Sequence, residues 1–408
     1  MGAIEYKFSM PASFVLIGLC ALIYLLDGLI HSILGPLAPE ISRSLQLSPS
    51  QLGPIFSANL LGQCIGLVLF PLLSGRASQR SIVLVALIGF GLAQCATALA
   101  NDAMALLIWR LITGVFLGGC LPSCLALVTA AAPIRRRGFA IMVLFTGYGL
   151  GATIAGIVAT SFSGIGGWRI AMVSVGAVCL VTALLAFLWL REVSSPDGVT
   201  SQAEVSAAKP NALLIFSPRY LVGTLMLWLV FISMLTISYC LTSWLPTLLV
   251  EVGRDQNFAA LSVSIFSLGG IVSALGVGLL IDRLGATRTL TTFLSIAAIL
   301  LFVVGQVLAS APATVLMVLL ALCGFFMLGA YGGVNVVLAS FYPDFLRAAG
   351  IGWTKSVGRI GTLIAPVGIG LALAAGIAET TLMSLFALPA LVAALSLIVI
   401  AMRSRAER

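Results

Sequence analysis

The chain has 408 residues, 61% of them hydrophobic and only 8% charged, with a formal net charge of +8. Soluble domains carry about 25% charged residues, and no soluble core of this length absorbs so much apolar chain, so a soluble globular protein is excluded. The basic balance follows from topology and does not point to nucleic acid.

Apolar runs of about 20 residues, long enough to cross a bilayer, recur down the whole chain. Twelve spans are predicted, over residues 13–34, 51–73, 82–100, 103–132, 138–162, 168–190, 219–246, 258–281, 289–309, 313–341, 348–375 and 379–402. The expected fold is an all-α membrane protein. The first run is too long for a secretory signal peptide and lacks a basic leading segment. It carries Asp27 and, one turn later, the only histidine, His31. Span 2 holds Gln63, span 4 Arg110, span 5 Tyr148 and span 7 Tyr239. Span 10 holds Tyr331 and Asn335, and span 11 holds Lys355 and Arg359. Trp244 and Trp353 fall near span ends and are read as interfacial anchors. The eight cysteines all lie in apolar runs and read as small packers, with no metal or cofactor expected.

The longest polar interruption, Arg191 to Arg219, reads as a flexible linker. It divides the chain into a six-helix bundle over 1–190, a linker over 191–218 and a second six-helix bundle over 219–408. With the N-terminus inside, Arg76, Arg80, Arg135, Arg136, Arg137, Arg283, Arg288, Arg347 and Arg403 fall on the cytoplasmic side. Only Arg43, Arg169 and Arg254 fall outside. This asymmetry predicts both termini in the cytoplasm and a cell (inner) membrane location.

A charge at the centre of a membrane helix costs about 2.5–3.5 kcal/mol, so each one there needs a reason. Asp27 is the only acid near the middle of a span. Structurally it could be half of a buried ion pair; functionally it could be a proton site facing an anion-binding cavity. At 1.5 Å per residue, Asp27 and Arg110 both fall about 10 Å below the outer edge, so a direct or water-bridged pair is expected. His31 shares the face of Asp27, reading equally as a packed histidine or a titrating one. Lys355 and Arg359 are four apart on one face of span 11. Two like charges there repel unless an anion lies between them.

The halves echo each other. Pro133-Ile-Arg-Arg-Arg137-Gly138 follows span 4, and Pro343-Asp-Phe-Leu-Arg347 with Gly350 follows span 10. Gly278-Leu-Leu-Ile-Asp282-Arg283-Leu-Gly285-Ala-Thr-Arg288 corresponds to Leu73-Ser-Gly-Arg76-Ala-Ser-Gln-Arg80. Related halves suggest two pseudo-symmetric bundles and alternating access, with a site at their interface. No nucleophile turn, phosphate loop or metal cluster is visible, so no enzyme is expected.

With these motifs the chain resembles the major facilitator superfamily. The Asp282 loop looks like that family's signature, which implies a cytoplasmic gate latch of Asp282, Arg283 and Arg288, with Arg76 and Arg80 in the first-half copy. Asp27-Gly28, Gly35 and Pro39, the run from Arg110 through Gly114 and Gly118 to Pro122, Trp244-Leu-Pro246, and the stretch from Gly324 to Pro366 resemble the aromatic acid:proton symporter branch. The branch has a second acid where Ile30 stands, a glutamine where Tyr331 stands, and no cation at Lys355. The resemblance implies a symporter importing a small organic acid, an aromatic carboxylate, with protons. Efflux or exchange of an amphipathic compound is the alternative. The expected proton-coupling group is Asp27, His31 and Arg110. The expected substrate group is Arg359, Lys355, Tyr331, Asn335, Tyr239, Gln63 and Tyr148. The expected partners are the organic anion, protons and lipid, with the protein a monomer.

Overall fold

The structure is a computed structural model, and it describes residues 10–74, 78–133, 136–162, 166–190 and 212–406. Arg76, Arg135 and most of the expected linker, 191–211, lie outside the described residues. Hydrocarbon offers no partner to a free peptide group, so each apolar run closes its backbone bonds within itself as a helix. The helices are α1 (Met10–Leu45), α2 (Pro49–Ser74), α3 (Gln79–Thr97), α4 (Ala103–Ala131), α5 (Arg137–Phe162), α6 (Gly167–Trp189), α7 (Pro218–Glu251), α8 (Gln256–Leu284), α9 (Ala286–Val307), α10 (Ala313–Phe341), α11 (Asp344–Ala374), α12 (Glu379–Leu385) and α13 (Ala387–Ala406). Among the described residues, 12 segments are long and apolar enough to cross a membrane, with α12 and α13 counting as one.

Three boundaries differ from expectation. The first helix does not stop near Leu34 but continues through Pro36 and Pro39 to Leu45. Proline is tolerated in membrane helices because neighbours can meet the freed backbone groups. The polar stretch 282–288 is not a loop. α8 and α9 are joined by Gly285 alone, at φ 85°, a left-handed conformation that suits glycine. The last span breaks at Phe386, because Pro389 cannot donate to the carbonyl of Leu385 and crowds it.

The described residues form two compact units. One lies within Met1–Ile33, Ala58–Ile154 and Ser161–Val199; the other lies within Leu34–Ser57, Ala155–Thr160 and Thr200–Arg408. In the first unit, α3 packs along α4 and α6. α2 crosses α4 at Gly62, Gly66, Gly114 and Gly118, where a methyl on any of them would strike the opposing backbone. Small residues at such crossings let helices meet closely enough for dispersion to hold them.

In the second unit, α10 packs on α8 and α9, α7 on α11 and α13, and α13 on α9. The last turns of α1 and the first turns of α2 belong to this unit. Gly35 abuts the backbone of Thr242 in α7, and Gly53 abuts Pro366 in α11. Ser57 Oγ donates to the Leu363 carbonyl at 2.8 Å. Trp244 Nε1 donates to the Pro366 carbonyl at 3.2 Å, and its ring meets Phe56 edge-on at 5.2 Å. Trp244 is therefore fully buried and is not the interfacial anchor expected, because α7 runs on to Glu251 and carries it inward from the helix end.

At the base of α11, Tyr342 donates to Thr224 Oγ1 at 2.9 Å, and Thr224 passes the bond to the Ile215 carbonyl at 3.1 Å. This ties the α10–α11 turn to α7 and to the short 3-10 helix Ala212–Phe216 before it. Burial pushes the Tyr342 phenol upward, so it remains a donor.

The three arginines on the side read as exterior have structural partners. Arg254 donates four times to the turn after α9, from Nε to Leu308 at 3.2 Å and from Nη2 to Leu308, Ala309 and Ala311 at 3.0, 2.9 and 2.6 Å. Arg169 caps the end of α3 through the carbonyls of Ala98 and Ala100, at 3.1 and 3.0 Å, and stacks over Trp168. Arg43 bonds the Pro39 carbonyl at 3.2 Å and meets Gln256. Cations at helix C-termini satisfy orphan carbonyls and the macrodipole together. Arg254→Met should lower unfolding stability by about 2 kcal/mol, the scale of a lost charge-assisted bond, and leave the transport KM unchanged. Thermal unfolding in detergent together with uptake kinetics checks both.

Candidate functional site

The ionisable residues predicted for the first half gather on α1 and the helices around it. A period of 3.6 puts Tyr24, Asp27, Gly28 and His31 on one side of α1. Gly28 is required there: a methyl would strike the carbonyl of Tyr148, so its absence lets α5 lie against α1. The Tyr148 ring then sits between Tyr24 and His31, with centroids 5.3 and 6.1 Å away. Asp27 is buried at 2% exposure, and His31 and Tyr148 are half-buried. Asn59 of α2 reaches His31, Nδ2 to Nδ1 at 3.3 Å. In that arrangement Nδ1 accepts and the ring proton sits on Nε2. A protonated ring would need the amide turned to present its oxygen, which has no hydrogen-bond partner among the described residues. The pair can therefore accommodate either state of the histidine.

Arg110 is 1% exposed. Its Nη1 donates to Gln94 Oε1 of α3 at 3.2 Å, and its Nη2 donates to the Ile30 carbonyl of α1 at 3.0 Å. Ile30 is three residues from Asp27, so Arg110 meets the main chain of α1 one helical turn along from the acid's position. The expectation of a shared level holds, although the depth arithmetic behind it changes. Asp27 is near the middle of a 36-residue helix, about 27 Å from its end at Leu45.

In the second unit, Tyr331 of α10 has Tyr239 of α7 and Arg359 of α11 within electrostatic reach, and Arg359 also acts on Lys355. Three helices thus bring together two phenols and a guanidinium, with an ammonium one turn away. The Tyr331 ring also meets Phe231 at 6.4 Å. α11 and α7 meet at Gly358 and Gly361, where a methyl would crowd Phe231, Ile232 and Thr236. Asn335 is half-buried and turns its amide back to the carbonyls of Tyr331 and Gly332, at 3.2 and 3.3 Å. Its NH2 group is thereby satisfied on its own helix.

Gln63 is half-buried on α2 at the crossing with α4, its own carbonyl facing Gly118. Of the gate residues, Asp282, Arg283 and Arg288 are exposed around the Gly285 turn. Arg80 donates to the Phe187 carbonyl in the last turn of α6 at 2.6 Å and lies 5.5 Å from that residue's ring. Two residues of the first cluster, Gln94 and Asn59, carry no sequence signal beyond being amides in apolar runs.

This architecture is that of a membrane transporter built from related helical halves. A family model described as Major Facilitator Superfamily matches residues 20–366 and, in a second placement, 251–408. The chain belongs to that superfamily; it is a transporter and not an enzyme. The gallate transporter of Pseudomonas putida is 30% identical over 407 residues, with 93% of this chain and 90% of the relative covered. The 3-(3-hydroxy-phenyl)propionate transporter of Escherichia coli (strain K12) is 33% identical over 393 residues, with 96% and 95% covered. Among solved structures, a D-xylose-proton symporter superposes with a TM-score of 0.77 at 17% identity, with 94% of this chain and 97% of that one covered. This last likeness is one of fold.

Arg110→Ala should lower stability by about 3 kcal/mol, because it leaves the Gln94 and Ile30 acceptors buried without their donor. Gln94→Ala should cost about 1 kcal/mol. Thermal unfolding of the purified variants measures both.

Proposed function

We propose that this protein is a proton-coupled symporter that imports an aromatic carboxylate by alternating access. Residues 1–190 and 219–408 form its two six-helix halves, joined by 191–218. It works as a monomer in the inner membrane with both termini in the cytoplasm. The observation that carries the reading is the second-unit cluster of Arg359 with Tyr331 and Tyr239. A guanidinium offers a carboxylate two parallel donors, and phenols beside it offer aromatic faces and hydroxyls to a ring. Gallate and 3-(3-hydroxyphenyl)propionate, named for the two relatives, are both carboxylates on or near a hydroxylated ring.

Arg359 holds the carboxylate, and Tyr331, Tyr239 and the Asn335 oxygen line the ring. Asp27 carries the proton, His31 and Asn59 adjust with it, and Arg110 supplies the fixed positive charge beside it. Protonating Asp27 removes a buried charge from apolar surroundings. Loading the anion and the proton together spares the protein from moving an uncompensated negative charge through hydrocarbon. The inward proton gradient then sets the direction of net movement. Gln63 and Tyr148, in the first unit, contribute further polar contacts to the substrate. Asp282, Arg283, Arg288, Arg76 and Arg80 act at the cytoplasmic gate.

Asp27→Asn should abolish proton-driven accumulation of labelled 4-hydroxybenzoate while counterflow exchange continues. The two assays on vesicles with matched expression check this. Full accumulation by the variant would move the coupling site away from Asp27.

A further inference from the structure

Two buried amides of the first unit stand beside basic side chains, and they are held differently. Gln94 of α3 is bound at both ends. Its Oε1 accepts from Arg110 Nη1 at 3.2 Å, and its Nε2 donates to Met172 Sδ at 2.9 Å. Reversing that amide would set its NH2 against the donors of the guanidinium, so it has one orientation, facing a cation that keeps its proton. Asn59 of α2 is equally buried, at 2% exposure, but it is held at one end only. Its Nδ2 meets His31 Nδ1 at 3.3 Å, and its Oδ1 is buried with no hydrogen-bond partner among the described residues. The main chain at Asn59 is fixed, because its carbonyl lies where a methyl on Gly114 of α4 would strike it. It is the side chain that has freedom to turn.

A buried acceptor left without a donor is costly. A half-turn about the Cβ–Cγ bond of Asn59 exchanges the two ends of its amide and brings Oδ1 to the ring. That exchange needs a proton on Nδ1. With Nδ1 bare the NH2 faces the ring, and with Nδ1 protonated, as in the imidazolium, the oxygen does. Either orientation makes one bond to the ring, so the proton on the ring decides between them. Imidazole is the side chain whose ordinary titration falls between about pH 5 and 8. The titratable and charged groups around it are Asp27 and Tyr24 on its own helix, Tyr148 of α5, whose ring is 6.1 Å away, and Arg110 of α4, bonded to the neighbouring Ile30 carbonyl. Asn59 is the neutral group that meets Nδ1 directly.

We infer that Asn59 is the positioning residue for a proton bound by His31 during the transport cycle. Its amide reverses as the ring gains and loses that proton, and it thereby sets the pH range over which uptake runs. The inference rests on the symport reading above. Asp27 remains the coupling carboxyl, and His31 binds a proton one helical turn along the same helix. Asn59 acts through the ring and not on the substrate.

His31 is the only histidine in the chain, so full-length protein labelled with nitrogen-15 in histidine gives the signals of one ring. The test compares wild type with Asn59→Asp in lipid vesicles from about pH 5 to 8. The substitution keeps the shape of the side chain, but an ionised carboxylate can only accept. Wild type should show a bare Nδ1 and a protonated Nε2 at the alkaline end, and both nitrogens protonated at the acid end. In Asn59→Asp, Nδ1 should be protonated throughout. A carboxylate at Nδ1 favours the charged ring, so the pH profile of labelled 4-hydroxybenzoate uptake should move about one unit to higher pH. An asparagine that merely packs would lower uptake at every pH without displacing the profile and would leave Nδ1 bare, and that result overturns the inference. So does a wild-type ring that stays singly protonated down to the acid end. Should Asn59→Asp not reach the membrane, the wild-type spectra decide, and a neutral ring protonated at Nδ1 counts against the proposal. Failure of wild type to take up 4-hydroxybenzoate at any pH overturns the symport reading itself, a result separate from the ring spectra.

Discussion

Arg110 joins three helices through one guanidinium: it belongs to α4, takes Gln94 from α3 and holds the Ile30 carbonyl of α1. A buried cation is costly, and here Nη1 and Nη2 each meet an acceptor on a neighbouring helix. The donors fix α1 against α4 at the level of Asp27. That fixes the side of α1 bearing Tyr24, Gly28 and His31 toward α5, where Tyr148 lies across it. The aromatic stripe, the histidine with its amide and the acid are all positioned by a charge that arginine does not give up at working pH.

The second unit works with the opposite inventory. On α11, Arg359 stands near the phenols of Tyr331 and Tyr239, with Lys355 one turn away. A carboxyl and an imidazole, groups that can carry a proton, are on α1, and the two cations are on α11. In the proposed reading, proton occupancy and anion occupancy are coupled by a free energy that each ligand feels from the other.

Most of the fold was legible from apolar run length, because hydrocarbon leaves a spanning segment little choice but a helix. The end of α1 was not legible: the first span was set at 13–34, and the helix runs on through Pro36 and Pro39 to Leu45. Pro389 was decisive in the last span, where it did break the helix. The roles of Arg169 and Arg254 were not legible, because their acceptors are backbone carbonyls of other turns and carry no residue signature. In the site, Asp27, His31, Arg110, Lys355 and Arg359 stood out because an ionisable group in an apolar run is rare. Gln94 and Asn59 did not, because a lone amide in a span is common and only its geometry reveals its partner. The likeness of Asp282 to a gate acid was readable, while the single-residue turn that carries it was not.

The most direct test of coupled transport is a proton measurement. The protein is reconstituted into vesicles with a lumenal pH dye and the membrane potential clamped at zero. External 4-hydroxybenzoate should then acidify the lumen in step with entry of the labelled acid, and a protonophore should remove the acidification. Entry of the label with no change in lumenal pH would contradict the account.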